Sequence, residues 1–242
     1  MKLKFGKGNA KLDKTIYTFS LPAGQTCPGA MDCKSQVIVI NGSRKIKDGP
    51  NTKFRCFAAS SEVLYPVVYE ARQYNIHHIK ANRGILNKAR LIENSLPPKA
   101  THIRLHVAGD FYCQSYFDAW LLVAKNNKDV VFYAYTKSIP YWLKRKRIIS
   151  DNFVLTASLG SKFDDMIKYN ELRSAKVVFS EAEAANLGLE IDHDDSHAIR
   201  NGPSFALLLH GVQPAGTEAA KAKVALKGKG SYSTKKVGNA TK

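Results

Sequence analysis

Cys27, Cys33 and Cys56 stand in one early segment, in the runs TCPGAMDC and FRC. A strand-like apolar stretch, TIYTFSL (15–21), comes just before them. Three soft thiolates on the loop leaving the first strand of an α/β chain hold a metal ion or an iron–sulfur cluster with one position left open, and an open position is where chemistry takes place. The spacing C-x5-C-x22-C departs from the paired CxxC pattern of common zinc sites. Two donor sets stay open: a cluster with one iron free for a small ligand, or zinc completed by His, Asp or Cys113. Cys113 itself reads more readily as a small buried hydrophobe.

The carboxyl ends of strands build the site in parallel α/β folds. Gly109-Asp110 end the run HIRLHVAGD (102–110), and Thr136-Lys137-Ser138 end VVFYAYTKS (130–138). Thr156 and Ser158 lie near the end of FVLTASLGS (153–161), Ser180-Glu181 follow KVVFS (176–180), and His210-Gly211 close FALLLHG (205–211). Asp110, Lys137 and Glu181 are the candidate catalytic residues. Gly109, Asp110 and Ser158 are the candidate cofactor contacts. Ser138 and Ser180 read first as helix caps.

A second constellation is EIDHDDSH (190–197). Asp192, His193, Asp194 and His197 combine hard oxygens with imidazoles, an alternative metal set suited to magnesium, manganese or zinc and to phosphodiester chemistry. A solvated acidic loop accounts for the same residues equally well. His102 and His106 share one side of a strand and read as core or rim histidines. Two basic stretches are candidate phosphate contacts. One carries His77, His78, Arg72, Lys80, Arg83, Lys88 and Arg90. The other is KSIPYWLKRKR (137–147), in which Tyr141 and Trp142 would stack bases beside Lys144, Arg145, Lys146 and Arg147. The competing reading of the second is an amphipathic helix that buries its aromatic face. No Gly-rich phosphate loop, GxSxG elbow or HExxH run is present.

The elements that must position these groups alternate between apolar β-branched runs and helix-like stretches. Six strands separated by helices imply parallel right-handed crossovers, hence an α/β chain forming a partial or complete (β/α) barrel, with an open doubly wound sheet as the rival. The near-continuous apolar run of VVFYAYTKS suits a strand covered on both faces. VIVING (37–42) and the following SRKIKDGP predict a hairpin, inserted at about 36–53 between the second and third cysteines. A helical region spans about 61–94, with Pro66 in a first turn and a break near Asn75 to His78. Ser115 is predicted to cap the next helix, with Asp118 at its third position and Phe117, Leu121 and Ala124 on one face. A short basic helix begins near Pro140, another helix covers 163–171, and Ser180 with Glu183 form a capping box on a helix ending at Gly188. Residues 1–213 thus form a single domain. Residues 214–242, with seven lysines and one glutamate, read as a flexible basic tail.

The chain has 242 residues, enough for one large domain with a full core. Its composition, 44% hydrophobic and 24% charged, is that of an ordinary globular protein. No apolar run approaches 18 residues, and the basic start MKLKFGKGNAKLDK lacks the apolar core of a secretory signal. Four unevenly spaced cysteines then point to a reducing cytoplasm rather than a disulfide framework. The net charge of +17, from 37 basic and 20 acidic residues, makes nucleic acid the first partner to consider.

Seven motifs carry a resemblance: LPAGQTCPGAMDC (21–33), FRCFAAS (54–60), LHVAGDFYCQSYFDAW (105–120), FYAYTKS (132–138), NFVLTAS (152–158), EIDHDDSH (190–197) and LLHGVQPAG (208–216). Through them the chain resembles the bacteriophage gene product 88 family, over most of residues 15–216. A phage origin would place it in the host cytoplasm. The resemblance implies no activity. The layout is also similar, more distantly, to radical S-adenosylmethionine enzymes. Those place three cluster cysteines after the first barrel strand, with an aromatic beside the last, as Phe54 and Phe57 stand beside Cys56. Their second strand ends in a glycine-acid motif that receives the amino group of the cofactor, which Gly109-Asp110 match in position. Their cysteines are compactly spaced, whereas here a hairpin separates Cys33 from Cys56.

Three function classes follow. The first is an enzyme with an iron–sulfur cluster on Cys27, Cys33 and Cys56. Asp110 would orient S-adenosylmethionine, Lys137, Ser158 or Glu181 would line the pocket, and the substrate would be nucleic acid or a nucleotide. The second is a non-catalytic nucleic-acid-binding protein with structural zinc. The third is a metal-dependent nuclease or nickase using Asp110 and the Asp192–His197 loop.

Overall fold

The computed structural model describes residues 2–8, 12–13 and 15–227. Strand β1 (Phe5–Lys7) runs antiparallel to β2 (Ile16–Phe19) at one edge of the main sheet. A hairpin, β3 (Ser35–Ile40) and β4 (Ser43–Asp48), stands apart as its own two-stranded sheet. Asn41 (φ 49°) and Gly42 (φ 75°) make its turn, the two positive dihedrals that a two-residue hairpin loop demands. Helices α1 (Phe57–Leu64), α2 (Pro66–Ala81) and α3 (Ile85–Glu93) follow. The break expected near Asn75 to His78 falls instead at Asn82–Gly84. Asn75 is anchored inside α2, giving its side-chain amide to Lys4 and Ser20 carbonyls, while Gly84 adopts the φ of 80° that ends regular helix.

Five units of strand and helix complete the chain. They are β5 (His102–Leu105) and α4 (Gln114–Asn126), β6 (Val131–Thr136) and α5 (Ile139–Leu143), β7 (Phe153–Ser158) and α6 (Asp164–Tyr169), β8 (Ser174–Val178) and α7 (Glu181–Asn186), and β9 (Phe205–Leu208) with α8 (Glu218–Ala225). The main sheet has the order β1-β2-β5-β6-β7-β8-β9, and every pair from β2 onward is parallel. The six parallel strands expected from sequence are all present. Their spatial order repeats their sequence order without reversal. Right-handed crossovers that never reverse keep all helices on one face, whereas a doubly wound sheet reverses and covers both.

Strand alternation then divides two surfaces. Ile103, Leu105, Phe132, Ala134, Phe153, Leu155 and Ala157 face the helices and join Phe117, Trp120 and Ala124 of α4 in the main core. Tyr133, Val154, Ala175 and Phe205 face the other way, in a second apolar cluster beneath the loop that leads into β9.

Two local expectations need correction. Ser115 is the second residue of α4, and Cys113 takes the extended N-cap position; Asp118 serves instead as acceptor for Gln114 and partner of Arg145. The stretch from Thr217, read as flexible tail, forms α8: the Thr217 hydroxyl caps it, and Ala219 and Leu226 are buried against β8 and β9. Residues 228–242 lie outside the described residues. The capping box on α7 is present, with Ser180 accepting from the Glu183 amide at 3.0 Å. Glu183 returns the bond to the Phe179 amide at 2.8 Å, one residue earlier than a standard box.

Candidate thiol-lined site at the strand carboxyl ends

The hairpin solves the spacing problem of the cysteines. At its base the Thr52 hydroxyl and the Gly49 amide both bond the Lys34 carbonyl, at 2.7 and 2.6 Å. The Lys53 and Phe54 amides both bond the Asp32 carbonyl, at 2.8 and 3.1 Å. The Cys56 amide reaches the Ser35 hydroxyl at 3.3 Å. The two ends of a 22-residue excursion are thereby tied side by side, with Cys33 on one and Cys56 on the other. The Cys27 loop is fixed to the Cys33 end: Lys34 Nζ donates to the Gly24 and Cys27 carbonyls at 2.7 and 2.8 Å. Gly29 packs so tightly over β6 that a Cβ there would meet the Lys137 carbonyl oxygen at 2.0 Å.

The three sulfurs face one cavity of about 180 Å³. Its walls come from the strand ends and from the inward face of the sheet: Gly109 and Asp110, Lys137, Ser158, Arg104 and Tyr135, with Val177 and Leu207 making an apolar side. Phe57, whose ring centroid lies 4.4 Å from that of His210, links the Cys56 segment to the loop after β9. Gln213 ties the same two segments, accepting from the Arg55 amide at 2.8 Å and donating to its carbonyl at 3.1 Å. The first and last parallel strands therefore contribute to a single pocket.

All four cysteines are free thiols. Burial pushes Cys27 well above the ordinary thiol value, with Asp110, Cys56 and Cys33 adding to the rise. Burial also raises Cys33, while the Lys137 ammonium draws it down. Cys56 is pushed up from 9.0 to about 12 by burial and by Cys33, against the pull of the Ala58 and Ala59 amides at the start of α1. Protonated sulfurs that repel one another's ionisation become thiolates only when a cation joins them. The donor set is thus the soft one that zinc or a cluster takes. Among the described residues, however, no group of three or more His, Cys, Asp or Glu is gathered closely enough to hold a metal ion. The trio shares a cavity and an electrostatic field without closing on a point.

Asp110 is 4% exposed and accepts from Thr136 Oγ1 (2.7 Å), the Lys137 amide (2.8 Å) and the Phe111 amide (2.7 Å). Burial raises its carboxyl to about 6, outweighing the three donors. Gly109 at φ 83° makes the approach possible: a Cβ there would lie 2.5 Å from Thr26 Oγ1. Lys137 Nζ donates to Ser158 Oγ (2.7 Å) and to the Ser158 and Leu159 carbonyls (3.0 and 2.5 Å), so Ser158 orients the lysine. Glu181 is exposed on the first turn of α7 and does not line the cavity. The end of β8 is used for the helix cap, which turns Glu181 outward.

Among the described residues the EIDHDDSH loop is not gathered into a group that could hold a metal ion. His193 and Asp194 are exposed, while Asp192 is 2% exposed, accepting from the Tyr135 hydroxyl at 3.5 Å. His197 pairs with Glu190 at 2.9 Å. Asp195, left out of that set, is the member that reaches the cavity. It pairs with Arg104 at 2.8 Å and accepts from the Tyr133 and Tyr135 hydroxyls at 3.1 and 3.4 Å. The loop therefore holds an arginine on the inward face of β5.

His106, expected as a core or rim histidine, is buried on the cavity wall. It follows β5 at φ 61°, a strained conformation for a residue with a Cβ, of the kind that clusters at functional sites. Burial lowers it to about 3, so the ring is neutral. Nε2 meets the Tyr116 hydroxyl at 3.0 Å, and Nδ1 is buried without a hydrogen-bond partner among the described residues, on the cavity wall. The charged Arg104 within the strand HIRL was the available sequence signal. Nothing in the sequence marked the dihedral of His106.

The basic stretches divide. Arg72 is buried in an ion pair with Glu62 at 2.8 Å, and Lys88 is 6% exposed, so neither offers a phosphate contact. Trp142 is buried in the main core and is unable to stack bases. Arg145 is committed to Asp118, at 2.8 and 3.0 Å. Lys144, Lys146 and Arg147 are exposed. No described helix is long and apolar enough to cross a membrane.

No curated protein and no solved structure matches the chain. A family model described as Gene product 88 matches residues 1–227, and that span takes in all three cavity cysteines, Gly109-Asp110, Lys137 and the Asp195 loop: the chain belongs to the gene product 88 family.

Proposed function

We propose that the chain is a partial (β/α) barrel enzyme whose Cys27, Cys33 and Cys56 hold an iron–sulfur cluster with one iron open, acting on a nucleotide or nucleic acid. The observation that carries this is the single cavity that Cys27, Cys33 and Cys56 line together with Asp110 and Lys137, at the carboxyl ends of parallel strands whose spatial order repeats their sequence order. A cluster bound there would supply one-electron chemistry to a small ligand such as S-adenosylmethionine. The chain's own groups have defined tasks. Lys137, fixed by Ser158, favours the thiolate of Cys33. Asp110, held by three donors, offers a carboxylate to a cationic amino group, whose charge would favour its ionised form. Val177, Leu207 and Phe57 exclude water from the apolar side.

Anaerobic purification with iron and sulfide analysis and an absorption spectrum tests the reading. A brown protein containing both elements is expected, and Cys27→Ala should bleach it. Loading should release protons and strengthen steeply with rising pH, because each buried thiol must ionise. Stoichiometric zinc without iron would favour the structural-zinc reading instead. A protein free of both metals after anaerobic preparation removes the proposal.

A further inference from the structure

We infer a second, separate site: a groove at the opposite end of the sheet that binds single-stranded nucleic acid. A turn of 3-10 helix, Lys146–Ile148, leads into β7, and Asn170 leads into β8, so both stand at the amino ends of the strands. Between them lies a groove of about 510 Å³ lined by the chain from Leu143 to Ile148 and by Asn170. The cavity of the thiols is at the carboxyl ends, so the two sites are separated by the length of the sheet.

Charge and shape commit the groove to one occupant. Lys144, Lys146 and Arg147 are exposed along one wall, and Arg145 is occupied by Asp118. Tyr169, next to Asn170 at the end of α6, is 88% exposed, the most exposed of the large hydrophobic and aromatic side chains. Ile148 on the facing segment is 67% exposed. Cations for phosphates beside a free aromatic ring and an aliphatic surface for bases are the two components of a single-strand platform. A duplex hides its base faces and would use only the cations. An anionic membrane would use the charges and take the ring at its interface, but a flat bilayer surface does not enter a groove, so vesicles are one arm of the test.

The inference is independent of the cluster. Fluorescence anisotropy of a labelled oligothymidine, a duplex of equal length and anionic phosphatidylserine vesicles, with the full-length chain, tests it. Tyr169→Ala should weaken the single strand by about tenfold or more with the salt dependence unchanged. Tyr169→Phe should restore it. The combined Lys144→Gln, Lys146→Gln and Arg147→Gln variant should lower the slope of log affinity against log salt by about 2, at about 0.7 per phosphate contact. All four substituted positions are on the surface, and metal content of the variants should equal that of the parent. Equal binding by parent and Tyr169→Ala, or equal losses on strand, duplex and vesicle, would overturn the assignment. Failure here with metal intact leaves the thiol site standing, and loss of metal by Cys27→Ala should leave the groove's affinity unchanged.

Discussion

Asp110→Asn is the most informative single change, because it separates burial from hydrogen bonding at the centre of the site. The carboxyl is raised from 3.8 to about 6 by burial, although three donors within 2.8 Å favour its ionised form. A folded-state value above the unfolded one means that the native state holds the proton more tightly. Its contribution to stability is full below 3.8 and is lost as pH rises through about 6. At about 1.4 kcal/mol per pH unit the full span is about 3 kcal/mol, of which about 2–3 kcal/mol falls between pH 4 and 7. Asparagine keeps shape and polarity but does not titrate. Urea unfolding of parent and variant at pH 4 and at pH 7 isolates the effect, since other groups, including the buried His106, titrate alike in both proteins. The destabilisation caused by Asp110→Asn should be about 2–3 kcal/mol larger at pH 4 than at pH 7. Parallel pH profiles would show that the donors fully offset burial and that Asp110 ionises normally, refuting the reasoning.

Gly109→Ala should destabilise by about 2–5 kcal/mol, combining a left-handed φ of 83° with a Cβ placed 2.5 Å from Thr26 Oγ1 and 2.7 Å from Leu21 Cβ. Gly42→Ala, at φ 75° with nothing within 4 Å, should cost only the backbone part, about 1–2 kcal/mol, and thermal or urea unfolding of the pair checks the difference. Arg72→Ala should cost about 3–5 kcal/mol by stranding the buried Glu62 carboxylate. Oligonucleotide affinity should not change, and a loss of affinity in a fully folded Arg72→Ala protein would refute the internal role of this residue.

Much of the architecture was legible in the chain. Apolar runs rich in β-branched residues marked all six parallel strands, because a strand buried on both faces must be apolar at nearly every position. The run VIVING followed by SRKIKDGP marked the hairpin, whose turn Asn41-Gly42 supply because few other residues accept two successive positive φ angles. Ser180 and Glu183 marked the start of α7 through a bond that spans three residues. Each of these is a local property. The short edge strand Phe5–Lys7 went unread because three residues carry too little pattern. Helix α8 was hidden in a lysine-rich stretch, since only its contact with β8 and β9 stabilises it.

The residue types at the site were also visible: three cysteines, a glycine-acid pair and a lysine at strand ends. Which of them share a cavity was not. Cys33 and Cys56 reach one cavity because backbone bonds from residues 49–54 close the base of the hairpin on Lys34 and Asp32, a pairing between distant residues that no spacing encodes. Glu181 and Trp142 had suitable types but wrong directions, one turned out by a helix cap and the other packed into the core. Asp195 and Arg104 found one another across 91 positions, through the approach of a loop to the inward face of β5. Sequence determined the strands, the turn and the chemistry on offer, because those depend on neighbours along the chain. Tertiary structure alone decided which groups face one another, because that depends on how the sheet curves and which loops its ends receive.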